Sequence, residues 1–141
     1  MFMGEYRHNI DSKGRIIIPA KFREQLGLKF VITRGLDGCL FGYTADEWQK
    51  VQDEVDKLPF NKANARKFAR LFLSAATECE IDKQGRVNLP EPLIKYADLI
   101  KNCVLTGVST RFEIWNADKW DEYNEKSQDE FNEIAEDLLD F

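Results

Sequence analysis

The chain has 141 residues, of which 43% are apolar and 12% aromatic, so it can bury a hydrophobic core and we do not expect disorder. No apolar run approaches the roughly 20 residues that span a bilayer, and no hydrophobic signal segment precedes the first charges, so we expect a cytoplasmic protein without a membrane partner. The net charge of −5 argues against a nucleic-acid partner, yet residues 1–34 hold seven Lys/Arg against three Asp/Glu, and residues 116–141 hold two against ten. The acidic end therefore conceals a basic region.

The first predicted element is a hairpin that occurs twice. Residues 10–19 have the sequence IDSKGRIIIP, and residues 81–90 have the sequence IDKQGRVNLP. Aspartate in the first position and glycine in the fourth position of a turn, with β-branched residues beside them, predict a hairpin with a tight turn at its end. We call residues 11–15 the first tip and residues 82–86 the second tip.

The elements after each hairpin also repeat. Pro19 and Pro90 end the hairpin strands and favour the first turn of a helix, which we predict at 19–26 in the first copy, with Gly27 as its C-terminal cap. The strand pairs that follow are predicted at about 28–33 with 39–43 and at about 103–108 with 111–115. Because a unit of about 45 residues cannot bury enough surface alone, we predict that the two copies pack or interleave.

Helices are predicted between and after the copies. Thr44 and Glu47 form a capping box ahead of apolar residues at helical spacing, Pro59 ends that helix, and a second helix begins at about residue 62. An apolar stripe in the acidic end predicts a terminal helix. The predicted fold class is α+β, with one domain over 1–141 in which two pseudo-symmetric hairpin units form one β-barrel-like body. The predicted boundaries are 5–48 and 76–120 for the two repeats, 49–75 for a helical insert and 121–141 for an acidic C-terminal helix.

The candidate functional residues are the cations of the two tips. Arg15 and Arg86 directly follow the turn glycines, where a side chain can project from the hairpin, and Lys13 and Lys83 share the tips. A guanidinium can bond guanine O6 and N7 or clamp a phosphate. The alternative is a local ion pair with the aspartate of the same turn, which is worth little at a surface. The residues alone support these two interpretations about equally.

A second basic feature lies in the predicted insert. Lys62, Arg66 and Arg70 are spaced by four residues, and Lys67 lies beside them. This spacing gives one basic helix face. A solvated surface is the favoured interpretation, and phosphate contact or subunit pairing is the alternative.

The sequence offers little for catalysis. The chain has one histidine and lacks a G-x-S-x-G elbow, a P-loop and a G-x-G-x-x-G motif. Asp11 and Asp82 could act as an acid–base pair if the hairpins met, but aspartate at this turn position normally bonds its own backbone. The three cysteines lie far apart, and Cys39 and Cys103 fall in apolar runs typical of buried thiols. We therefore predict no enzyme, no metal, no cofactor and no small-molecule substrate.

The paired D-x-x-G-R elements resemble the AbrB/SpoVT-type swapped-hairpin DNA-binding module, and longer segments resemble the MraZ family of bacterial regulators. Those segments are MFMGEY at 1–6, PAKFR at 19–23, TRGLDGCL at 33–40, RLFLSAATE at 70–78, IDKQGR at 81–86 and RFEIW at 111–115. The resemblance covers about residues 1–123. It implies two AbrB-like units per chain and a nucleoid-associated transcription factor, generally a repressor, that binds repeated promoter elements of its own division and cell-wall gene cluster. It also implies that subunits assemble into a homo-oligomeric ring.

The resemblance also implies roles for the tip residues. The DNA contacts are Arg15, Arg86, Lys13 and Lys83, supported by the motif residues Asp11, Gly14, Asp82 and Gly85. Asn88 stands where the first copy has Ile17, so the two tips need not be equivalent. The alternative function is a protein-binding adaptor that assembles through the apolar face of the acidic helix at 117–139.

Overall fold

The computed structural model describes residues 1–139 of the chain. In chain order the elements are β1 (Glu5–Asn9), β2 (Arg15–Ile17), α1 (Ala20–Leu26), β3 (Phe30–Arg34), β4 (Leu40–Thr44), α2 (Ala45–Asp56), α3 (Ala63–Ala75), β5 (Thr77–Cys79), β6 (Arg86–Asn88), α4 (Glu91–Ala97), β7 (Asn102–Val108), β8 (Arg111–Asn116), α5 (Ala117–Asp129) and α6 (Phe131–Leu138). The same order of seven elements occurs twice, first in β1 to α3 and then in β5 to α6. The predicted α+β class is confirmed.

The two halves exchange their first strands. The main sheet is antiparallel in the order β1-β7-β8-β4-β3-β5, and β2 pairs with β6 in a separate two-stranded ribbon. Strand β1 of the first half therefore lies beside β7 of the second half, and β5 of the second half lies beside β3 of the first. Neither half could complete its sheet without the other.

An approximate twofold axis relates the halves. Ile16 pairs with Val87 in the ribbon, and Phe41 pairs with Glu113 where β4 meets β8. Each pair joins equivalent positions of the repeat, at shifts of 71 and 72 residues. The axis therefore passes between β2 and β6 and between β4 and β8.

The prediction of a β-barrel-like body is wrong. Strands β1 and β5 are the two edges of an open sheet. A barrel needs continuous strand pairing around its circumference, whereas the ribbon joins the end of β1 only through a bridge between Ile10 and Ile16. The chain enters a tight turn directly after Ile10, and Pro19 and Pro90, which cannot donate to a strand ladder, follow β2 and β6. The strand pairing between the ribbon and β1 is therefore too short to close the sheet into a barrel.

Both faces of the sheet are covered. One face packs under the ribbon and helices α1 and α4 around an aromatic cluster that includes Phe22 and Phe112, whose ring centroids are 5.5 Å apart. The other face packs under α2, α3 and α5 through residues such as Phe41, Phe72 and Trp115. Successive side chains along each strand point to opposite faces of the sheet, as expected for a β-strand, and this alternation separates the two layers.

The helices follow the predicted signals with one difference. Thr44 Oγ1 accepts a hydrogen bond from the Glu47 backbone N–H at 3.1 Å, which caps α2. The acidic end contains two helices, because the Glu130 backbone N–H bonds to the Ser127 carbonyl oxygen at 3.2 Å, a tighter turn that separates α5 from α6. Residues 140–141 of the predicted C-terminal helix lie outside the described residues.

Candidate nucleic-acid interface

The first tip is held by the Asp11 carboxylate. Its Oδ1 accepts hydrogen bonds from the backbone N–H groups of Lys13 and Arg15, each at 2.9 Å, and its Oδ2 accepts one from Arg15 Nε at 2.7 Å. Gly14 has φ of 79°, a left-handed conformation that glycine adopts without steric cost. The predicted ion pair therefore exists, and it orients the arginine while leaving both of its terminal nitrogens free of hydrogen bonds within residues 1–139.

The second tip repeats this geometry. Asp82 Oδ1 accepts from the backbone N–H groups of Gln84 and Arg86, each at 2.9 Å, and Oδ2 accepts from Arg86 Nε at 2.9 Å. Gly85 has φ of 78°. One contact is added, because Arg86 Nη2 donates to Gln84 Oε1 at 3.0 Å. The second guanidinium is thus held by two side chains and the first by one.

Both arginines lie on the outer face of the ribbon. Arg15 pairs with Asn88 and Arg86 pairs with Ile17, so these four residues share one face. The residues between them, Ile16 and Val87, are buried on the inner face. Diagonal neighbours in such a pair are about 7–8 Å apart. The fold thus places the two partly exposed arginines at diagonal positions on the same outer face of the ribbon.

The tip lysines occupy different turn positions. Lys13 is the third residue of the first turn and Lys83 is the second residue of the second turn; both are exposed. Neither lysine makes an ion pair with a carboxylate among residues 1–139. The two tips therefore carry exposed cations beside the arginines that aspartate holds.

The tip carboxylates are unsuited to proton transfer near neutral pH. Hydrogen bonds from the Arg15 backbone N–H lower the pKa of Asp11, and the Arg86 backbone N–H lowers the pKa of Asp82 in the same way; the arginine side chains add to both effects. Each carboxylate stays ionised and bound within its own turn. This geometry favours an orienting role over acid–base chemistry.

Arg23 on α1 is a cation that the sequence interpretation missed. Its Nη1 lies 3.4 Å from the carbonyl oxygen of Gly85, so the side chain reaches from the first half of the chain to the second tip. A sequence signal existed, because the constant shift of 71 residues aligns Arg23 with Ile94 and exposes a cation that the second copy lacks.

The predicted basic helix face is present on α3. Arg66, Lys67 and Arg70 are exposed on that helix, and Lys62 precedes it as the N-cap residue. Arg66 Nη1 donates to the Phe60 carbonyl oxygen at 3.0 Å. This face belongs to the helical layer, on the opposite side of the sheet from the ribbon.

The cysteines are buried, and burial raises their pKa values. The pKa is about 11 for Cys79 and about 11 for Cys103, and that of Cys39 is raised further. Within residues 1–139 no three His, Cys, Asp or Glu side chains group as metal ligands. No helix in that part of the chain has the length and hydropathy to cross a membrane.

Comparisons with known proteins agree with the sequence resemblance. The family model described as "MraZ protein, putative antitoxin-like" matches the chain twice, over residues 1–71 and 72–141. The chain is also 60% identical over 141 residues to a protein of Ligilactobacillus salivarius (strain UCC118) named Transcriptional regulator MraZ, a match that covers 100% of this chain and 99% of the relative. The relative's name describes a regulator of transcription and not an enzyme. Because both matches extend over the whole chain, the protein belongs to the MraZ family.

Proposed function

We propose that this protein regulates transcription by binding double-stranded promoter DNA through its two hairpin tips. The observation that carries the proposal is the shared outward face of Arg15 and Arg86, each oriented by an aspartate of its own turn. The family resemblance supplies the finer parts of the proposal. The protein represses its own division and cell-wall gene cluster, binds repeated promoter elements, and is associated with the nucleoid in the cytoplasm.

The two-stranded form of the ribbon suits a DNA major groove. A major groove admits a two-stranded β-ribbon, and an arginine can bond guanine O6 and N7 with two nitrogens. Nε of each tip arginine is bound to aspartate, and within residues 1–139 this leaves both terminal nitrogens of Arg15 and Nη1 of Arg86 available for a base, while Nη2 of Arg86 donates to Gln84. Lys13 and Lys83 would contact the phosphates that flank the groove.

One tip would bind weakly, since a good bidentate contact gives about 1–3 kcal/mol of discrimination. Several tips on one assembly would bind repeated DNA elements as a single event, which raises the effective affinity by roughly 10²–10⁴. Self-assembly is therefore part of the proposal, and two surfaces of the chain support it.

The first surface is a groove beside α3, of about 160 Å³, which we call the α3 groove. Its lining includes Arg34, Leu36, Phe68, Leu71 and Tyr96. Leu36 and Leu71, both in this lining, are 62% and 53% exposed, so the groove presents apolar surface to a partner. Arg34 Nε is buried without a hydrogen-bond partner within residues 1–139, so the groove lacks an acceptor that a carboxylate would supply.

The second surface is α6, the equivalent helix of the other half. It carries Glu133, Glu136 and Asp137 with no basic residue, together with the exposed side chains of Ile134 and Leu138. We propose that α6 of one copy docks against α3 of a second copy, with its apolar side chains on the α3 groove and its carboxylates toward the basic residues of the same helix, Arg66 and Arg70. Such a head-to-tail contact uses two different surfaces and closes into a ring when the rotation between copies permits.

The DNA proposal is tested by binding to the protein's own upstream promoter DNA over a range of salt concentrations. We expect a steep loss of affinity with salt, and we expect Arg15→Ala and Arg86→Ala each to weaken binding about 10-fold to 100-fold, from the 1–3 kcal/mol of one bidentate contact. Lys57→Ala, at the C-cap of α2, is the control for loss of one surface charge. If both arginine variants bind like the wild type while remaining folded, the site assignment fails.

The assembly proposal is tested by two charge-reversal variants measured by sedimentation velocity. Arg66→Glu with Arg70→Glu makes α3 acidic, and Glu133→Arg with Asp137→Arg makes α6 basic. Each variant alone should dissociate, and an equimolar mixture should reassemble, because every contact in an alternating assembly again joins opposite charges. Wild-type assembly by either variant alone would contradict the proposal. A monomeric wild type would also contradict it and would leave the acidic helices for another protein, as the adaptor hypothesis requires.

A further inference from the structure

The helices α1 and α4 each cross to the hairpin of the opposite half. A Cβ atom added to Gly14 would lie 2.9 Å from Ile94 Cδ1, and a Cβ atom added to Gly85 would collide with the guanidinium of Arg23. Arg23 and Ile94 are equivalent positions of the repeat, so the fold presents the same helix position to each turn. The two tips therefore share a backbone but differ in the side chain that covers them.

This difference changes the charge of the two tips. Asp11 and Asp82 each form an ion pair with the arginine of the same tip, whereas Arg23 has no carboxylate partner within residues 1–139. In the described part of the chain its one side-chain hydrogen bond is donated to the neutral carbonyl oxygen of Gly85. The charge of Arg23 is thus uncompensated, although its position is fixed by a helix and a turn.

A carboxylate beside the first tip increases the difference in charge between the two tips. Glu91 lines the groove beside Lys13 and Gly14, and the equivalent residue near the second tip is Ala20. The groups on and against the first tip are two cations (Lys13, Arg15) and two anions (Asp11, Glu91). Those on and against the second tip are three cations (Lys83, Arg86, Arg23) and one anion (Asp82). Counted over these named groups within residues 1–139, the second tip is more positive than the first by two charges.

We propose that Arg23 is a phosphate-contact residue of the second tip and that the second tip contributes more to DNA affinity than the first. This inference rests on the proposed DNA-binding function. Arg23 lies beside Arg86, at the edge of the turn that would enter the groove, where the backbone of the DNA flanks the base that Arg86 reads. Arg86 is also better oriented than Arg15, because Gln84 holds one of its terminal nitrogens.

The test uses three variants and the wild type, with the protein's own promoter DNA as the probe. Arg23→Gln keeps a donor for the Gly85 carbonyl oxygen and removes the charge, and Arg23→Lys keeps the charge. We expect Arg23→Gln to weaken binding about 5-fold to 10-fold and to reduce the slope of log affinity against log salt by about 1 for each bound copy, as the loss of one phosphate contact requires. Arg23→Lys should retain the wild-type slope. The thermal midpoint and the oligomeric state of each variant are measured to separate binding from folding.

The third variant is the gain-of-function counterpart, Ile94→Arg, which gives the first tip the side chain that covers the second. It should increase the slope by about 1 and strengthen binding. Failure of the inference and failure of the function are distinguishable. An unchanged slope in Arg23→Gln, or an equal loss of affinity in Arg15→Ala and Arg86→Ala, would overturn the inference while leaving the function in place. Wild-type binding by all of these arginine variants would overturn both.

Discussion

The two halves of the chain are most alike at the hairpin tips and least alike at the helices beyond the sheet. At the tips, the same five hydrogen-bonding groups hold both turns, and the distances agree within 0.2 Å. In the helical layer, α3 has three basic residues and no acidic residue, whereas its equivalent α6 has three acidic residues and no basic residue.

The difference shows which parts of a duplicated unit are constrained by its backbone. A turn that needs aspartate to bind two backbone N–H groups and glycine at positive φ admits few substitutions. An exposed helix face admits many, because surface changes away from special features alter the free energy of unfolding by less than about 0.5 kcal/mol. Divergence in the helices gives the chain two different ends, and this is what the proposed head-to-tail assembly needs.

The largest expected effect comes from the core that the halves share. Phe112→Ala should lower the free energy of unfolding by about 3–5 kcal/mol, because the ring is fully buried against Phe2, Phe22 and Phe30. Leu40→Ala, at the equivalent position in the first half, should cost about 2–5 kcal/mol. Urea unfolding is followed by tryptophan fluorescence and by far-ultraviolet circular dichroism. Because the strands are exchanged, both probes should give one coincident transition, and two separated transitions would show that the halves fold independently.

A smaller effect distinguishes the two turn glycines. Alanine at either position is strained by about 1–2 kcal/mol, since both glycines have positive φ. Gly14→Ala should be the more destabilising, because its Cβ would also lie 3.1 Å from the Leu89 backbone oxygen, whereas Gly85→Ala meets the flexible end of Arg23. Thermal unfolding of the two variants measures the difference. Equal thermal midpoints would show that the two turns are packed alike, although Ile94 lies against one and Arg23 against the other.

Much of this fold was predictable because its signals are local. Turn aspartates and glycines, prolines after strands, and the Thr44 cap each act within a few residues, so the tip turns, α1, α2 and the two later strand pairs were predicted close to their observed positions. The strands beside each tip were predicted to pair with each other, and they pair instead with strands of the opposite half. The break at Glu130 was not predicted, because the apolar stripe continues across it and only the backbone hydrogen bonds change.

The failures concern contacts between distant parts of the chain. The prediction of a barrel was wrong because strand pairing depends on which strands meet across the pseudo-twofold axis, and periodicity within a strand carries no information about its neighbours. Arg23 was missed for a similar reason, since its contact with Gly85 spans 62 residues. The contact of each tip arginine with its aspartate was predictable, because the aspartate, the glycine and the arginine are neighbours in sequence, and their role in DNA binding stays a prediction.

The helix caps offer a smaller comparison between the halves. Thr44 and Asn116 are equivalent N-caps, and each side-chain oxygen accepts a backbone N–H at 3.1 Å. Asn116 Nδ2 also donates to the Asp98 carbonyl oxygen at 2.8 Å. Thr44→Ala should cost about 1 kcal/mol, and Asn116→Ala should cost about 1 kcal/mol more for the lost second bond. Asn116→Ser, which keeps only the cap, should cost about 1 kcal/mol in urea unfolding, and a cost equal to that of Asn116→Ala would assign the whole effect to the second bond.

The smallest expected effect is the pH response of the tips, where the halves should behave alike. Backbone hydrogen bonds lower the pKa values of Asp11 and Asp82 in the folded protein. A carboxyl group whose folded pKa is depressed contributes stability that is present above its unfolded pKa and is lost as the pH falls through the folded value. Both tips should therefore keep their geometry from pH 8 down to about pH 4, near the ordinary aspartate pKa, and lose it only below. Carboxyl carbon chemical shifts measured by nuclear magnetic resonance would follow both titrations.

In Arg15→Ala the pKa of Asp11 should rise only partly, because the backbone N–H of residue 15 remains and is the largest cause of the shift. A return of that pKa to its ordinary value would instead make the guanidinium the main partner, and the tip geometry would then depend on the same group that is proposed to contact DNA.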